Sequence, residues 1–74
     1  MTRETALRRM LAGKMVYHPD KPDNPFRYDD DYTKTKTIYP IFIRELGHWF
    51  LGLTDFFELP NTGWKEYRPE KEDE

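Results

Sequence analysis

The apolar positions of this chain repeat first with a helical period and then, from residue 14 onward, with a shorter and more broken one. In RETALRRMLA, residues 3–12, Ala6, Leu7, Met10 and Leu11 fall at i, i+1, i+4 and i+5, one stripe of a helix. Thr2 stands at the N-cap position, Glu4 sits at the positive end of the helix dipole, and Gly13 follows where a left-handed backbone is wanted. Arg8 and Arg9 lie in the C-terminal half, facing water. KMVYH, Lys14 to His18, reads as a strand on the propensity of Val16 and Tyr17. PDKPDNP, residues 19–25, holds three prolines, two aspartates and an asparagine, which predicts a loop, because proline fixes φ and Asx residues favour turns. A second strand is expected from Phe26 to about Tyr28, ending in the acidic turn of Asp29, Asp30 and Asp31. In TKTKTIYPIFIRE, residues 33–45, the Thr and Ile content favours strand and Pro40 argues against helix before it. Whether Pro40 breaks a strand or starts a helix stays open.

LGHWFLGLTDFFELPNTGWKEY, residues 46–67, is the most apolar stretch and admits two parses. Phe42, Leu46, Trp49, Leu53 and Phe56 are spaced 4, 3, 4 and 3, a helical seam. Against one long helix stand Gly47 and Gly52, each costing about 1 kcal/mol relative to alanine in a helix interior. Thr54-Asp55 looks like a fresh N-cap ahead of Phe56, and Pro60 with Asn61-Thr62-Gly63 closes a turn. The preferred parse is a strand from His48 to Leu51, one helical turn from Asp55 to Leu59, and a strand from Trp64 to Arg68.

Composition bounds the picture. With 74 residues the chain has room for one small domain, residues 1–69, whose core is marginal by itself. No cysteine is present, which removes disulfides and thiolate chemistry, so oligomerisation is the most available supplement and a homo-oligomer is expected. The net charge of −2 gathers in EKEDE, residues 70–74, an acidic tail expected to be disordered; without it the count is 11 basic against 10 acidic residues. No basic stripe argues for general nucleic-acid binding. The first residues form no apolar leader and no segment has the length of a membrane span, so a soluble cytoplasmic protein is expected.

Candidate chemistry is sparse. An EF-hand loop starting at Asp20 would need glycine sixth and glutamate twelfth, where Pro25 and Asp31 stand, so the acidic residues read as a solvated turn. His18 and His48 lack the spacing of a metal site and no nucleophile–base–orienter set can be assembled, so neither a metal, a cofactor nor an enzyme is expected. Arg8, Arg9 and Lys14 cluster about the end of the first helix and offer a phosphate clamp, since arginine grips phosphate oxygens bidentately. Tyr17, Tyr28, Trp49 and Trp64 are the aromatics that would stack an adenine, though a chain this small also needs such side chains for its core.

ALRRMLAGKMV, residues 6–16, and TDFFEL with GWKEY, residues 54–59 and 63–67, resemble the opening and close of the phage Thoeris anti-defence sponge family, the second one named. That resemblance implies an α+β fold, with an N-terminal helix packed on a small antiparallel sheet. It also implies an oligomer that sequesters a nucleotide-derived immune signal of the cyclic ADP-ribose type without cleaving it. The middle of the chain departs: HPDKP, residues 18–22, stands where the family carries a Lys/Arg-Gly-Trp segment, so binding residues are not carried over. The rival expectation is an inhibitor that binds a host defence protein through the apolar LGHWFLGL surface, with the acidic tail as an electrostatic lure.

Overall fold

The computed structural model describes residues 1–29 and 40–68. The chain runs α1 (Arg3–Leu11), β1 (Met15–His18), β2 (Lys21–Tyr28), β3 (Ile41–Glu45), β4 (His48–Leu51), α2 (Leu53–Glu58) and β5 (Lys65–Tyr67). The sheet order is β4-β3-β2-β1-β5 with every pairing antiparallel, so β1 to β4 form a meander and β5 returns to the far side of β1. An N-terminal helix on an antiparallel sheet is the expected α+β architecture. The single helix over residues 42–59 is excluded, because β3, β4 and α2 divide that stretch.

Helix α1 forms for the reasons its sequence states. The Thr2 hydroxyl accepts from the Thr5 N–H at 3.2 Å, and Glu4 lies in the first turn. Its end is a Schellman motif: Gly13, at φ 92°, donates to Met10 O, and Lys14 N–H reaches Arg9 O, each at 3.0 Å. Ala6 and Met10 are buried and Leu7 packs beside them, whereas Leu11, expected on the same stripe, is exposed.

The expected loop over residues 19–25 is corrected: from Lys21 on it belongs to β2. The prolines are tolerated because the pairing with β1 slips between Val16↔Phe26 and His18↔Lys21, so the Pro22 to Pro25 stretch lies in a bulge, and the β3 register begins at Phe26. The expected Thr54 cap is also corrected. Helix α2 starts two residues earlier, with Gly52 as its uncapped N-cap and Asp55 in its first turn. Gly52 is required there, since a Cβ would come within 2.7 Å of the Ile43 side chain. The C-terminal carbonyls of α2 are met instead by Arg3, whose Nη2 donates to Phe57 O and Leu59 O.

Both helices lie on one face of the sheet. The core there is Ala6, Met10, Val16, Phe26, Ile41, Ile43, Phe56, Leu59 and Trp64. Register lays Val16, Phe26, Ile43 and Phe50 in one row across four strands of that inner face. Met1 and Trp64 exchange two hydrogen bonds, and Arg3 N–H donates to Asn61 O at 2.7 Å, which ties the start of the chain to the β5 approach. The Asp30–Asp31 part of the acidic turn, the strand expected over residues 33–39 and the acidic tail fall outside the described residues.

Candidate functional site

The seven side chains singled out for ligand binding do not meet. Arg8 pairs with Glu4 at 3.1 Å on an open helix face, and Arg9 reaches Glu66 at 3.0 Å. Of the basic cluster, Lys14 alone carries no ion pair among the described residues. Tyr17 lies on the outer face of the sheet, edge-on to Tyr67 at 6.1 Å. Tyr28 packs against the core cluster. Trp49 sits on β4, at the other end of the strand order from β5, which Arg9 contacts through Glu66. The basic cluster and Trp49 are thus separated by intervening strands spaced about 4.8 Å apart.

Trp64 is corrected from ligand candidate to core. It is 1% exposed, its Nε1–H donates to Pro60 O at 3.0 Å, and its ring packs on Phe56, Phe26 and His18 at 4.8, 5.6 and 5.2 Å. His18 is buried and fully engaged. Its Nδ1 accepts from Asp20 N–H at 3.1 Å, so its Nε2 carries the proton and donates to Thr62 O at 2.8 Å. A ring with both nitrogens occupied offers neither a base nor a metal ligand. Among the described residues no group of three His, Asp or Glu side chains is placed to hold a metal, and no helix is long and apolar enough to cross a membrane.

What stands out is the β3–β4 hairpin. Its turn is Leu46-Gly47, with φ 53° and 80°, the pattern of a type I′ connection that favours Asn-Gly. Leucine in a left-handed conformation costs about 1–2 kcal/mol, and this one is 98% exposed, so burial inside the chain returns nothing for it. Beyond the turn, Phe50 is 49% and Leu51 60% exposed, on opposite faces of the same strand. Among the described residues nothing pairs with the outer edge of β4.

The two edges of the sheet differ in kind. Strand β5 is three residues long and charged, with Glu66 bonded to both Arg9 and Arg68. Short, charged edges are how sheets discourage added strands. Strand β4, HWFL, carries no Lys, Arg, Asp, Glu or proline. Beside it on the outer face Arg44 stands directly opposite Trp49, and the Arg27 guanidinium lies 4.6 Å from the Trp49 ring centroid. Sequence reasoning missed Arg27 and Arg44, since only cross-strand register reveals them. It did flag LGHWFLGL as apolar, and the two-residue period of HWFL was the sign that its apolar side chains split between two faces.

A shallow, apolar cleft of ≈ 280 Å³ between α1 and α2 is lined by Leu7, Phe56 and Phe57 with Arg3, Glu4 and Asn61. Arg3 Nη2 there is committed to the α2 carbonyls, while its buried Nε has no hydrogen-bond partner among the described residues. No family model, curated protein or solved structure matches the chain.

Proposed function

We propose that this protein is a non-catalytic interaction module that works through the β3–β4 hairpin, and that what it engages there is a protein. Of the two readings the sequence raised, this is the inhibitor of a host defence protein. The observation that carries it is the β4 edge, unpaired among the described residues: it holds no Lys, Arg, Asp, Glu or proline and is flanked by the exposed side chains of Leu46, Phe50 and Leu51. Exposed apolar side chains gathered on an unpaired edge are what a docking strand or surface recognises. A strained leucine at the hairpin tip supports the same reading, because unfavourable backbone geometry persists where function uses it.

The nucleotide reading, a sponge for a cyclic ADP-ribose type signal, keeps one observation in its favour. Arg44 and Arg27 flank Trp49 on the outer face, a pairing of cations and aromatic surface that suits an anionic, flat ligand. Against it, Arg27 is already shared between Trp49 and Asp29, and the helix-end cluster of Arg8, Arg9 and Lys14 is remote from that ring.

Affinity capture from host extract, run beside titration with cyclic ADP-ribose species, separates the two. The parent protein is expected to retain a protein that Leu46→Asp does not, and to leave the nucleotides free. A nucleotide depleted from solution and returned intact on denaturation, by parent and Leu46→Asp alike, would overturn the docking reading.

A further inference from the structure

We propose that the occupant of the free β4 edge is a second copy of this chain, paired antiparallel about a two-fold axis through Phe50. The inference rests on the docking reading and concerns the protein before it meets its target: the copy covers the β4 edge reversibly and gives way to the docking protein. The first argument is hydrogen-bond phase. In a two-residue hairpin the residues flanking the turn, here Glu45 and His48, exchange both bonds, and every second pair repeats this. Ile43–Phe50 is the next such pair, and Gly52 N–H donates to Ile41 O at 2.8 Å in the same phase. Trp49 and Leu51 therefore turn their N–H and C=O groups outward. A two-fold axis at Phe50 sets Trp49 of each copy opposite Leu51 of the other, so the outward groups of both strands satisfy each other.

Side chains and charge agree with that register. On the outer face each Trp49 meets a Leu51, and on the inner face Phe50 meets its own copy. The inner row Val16, Phe26, Ile43 and Phe50 then continues across the seam in reverse order, extending the core. A two-fold contact lays a patch on itself, and HWFL bears no Lys, Arg, Asp or Glu to set like charges opposite one another, whereas the three-residue β5 edge has its Glu66 held by Arg9 and Arg68. A four-residue strand with one hairpin tip falls at the small end of interface sizes, below about 1,200 Å² in total, so the dimer forms in the micromolar range rather than permanently.

Because the chain has no cysteine, one substitution tests the register directly. Phe50 and its copy form the pair that does not exchange hydrogen bonds, with Cα atoms about 4.5 Å apart. That separation lies within the disulfide range of about 4.4–6.8 Å. Phe50→Cys is expected to oxidise to a covalent dimer faster than Lys65→Cys on the opposite edge. By sedimentation the parent is expected to show a monomer–dimer equilibrium in the micromolar range, and Leu51→Lys to raise its dissociation constant roughly tenfold or more while the far-UV spectrum stays unchanged. A parent that remains monomeric throughout, a dimer indifferent to Leu51→Lys, or Phe50→Cys linking no faster than Lys65→Cys would each overturn the proposal. Those failures leave the docking reading intact wherever Leu46→Asp still abolishes capture of another protein, and the docking reading falls separately if it does not.

Discussion

Leu46 is where local stability and use part company. A left-handed leucine in a type I′ turn is strained by about 1–2 kcal/mol, and its side chain touches nothing that compensates. Leu46→Asn restores the favoured Asn-Gly turn and is expected to raise stability by ~1 kcal/mol in denaturant melts while weakening whatever the hairpin binds. Unchanged binding would make the strain incidental. Trp64 is the opposite case, a side chain whose value is all internal. Trp64→Ala is expected to destabilise by about 3–5 kcal/mol, read by the same melts, through loss of the Phe26, Phe56 and His18 contacts. Gly63 beside it is fixed by backbone as well as by space: at φ 98° a Cβ would also stand 3.1 Å from His18 Nε2. Gly63→Ala therefore strains the turn and presses on the His18–Thr62 bond.

At the scale of elements, α1 and β4 separate structural from functional charge and apolarity. Arg8 and Arg9 of α1 are spent on Glu4 and Glu66, both pairs partly or fully open to water, so Arg8→Ala and Arg9→Ala are each expected to change stability by no more than about 1 kcal/mol and to leave association untouched. A marked loss of nucleotide binding in either variant would restore the phosphate clamp. The elements that could be read in the sequence are those with local signals: the α1 stripe with its Thr2 cap and Gly13 stop, the strand His48–Leu51, and the break at Gly52 that rules out a long helix. What escaped were features set by neighbours. Residues 21–25 look like a loop because prolines normally forbid pairing, yet a bulge opposite β1 leaves their missing donors unneeded. Thr54 looks like a cap because its residue type is right, yet packing of Gly52 on Ile43 starts the helix earlier. The candidate site was legible only as an apolar stretch; that Phe50 and Leu51 emerge on opposite faces of an unpaired edge, with Arg27 and Arg44 around Trp49, depends on strand order, which no single segment encodes.

On the scale of the whole molecule, one small core supports a sheet whose two ends have different characters. The β5 end is short, charged and stitched to α1, while the β4 end is apolar and, among the described residues, open. The helices cover β1, β2, β3 and the approach to β5, and the inner-face row runs out at Phe50, half exposed. The molecule thus presents an edge that a further strand completes, and its activity is expected to reside in that completion. Amide hydrogen exchange of β4, followed residue by residue as protein concentration or a captured partner is raised, tests this most directly. The Phe50 amide, bonded to Ile43 within the chain, should be protected throughout. The Trp49 and Leu51 amides, which face outward, should exchange rapidly in dilute solution and slow together as the edge is occupied. If Trp49 and Leu51 exchange at the same rapid rate under every condition in which the protein associates, the β4 edge is not its docking surface.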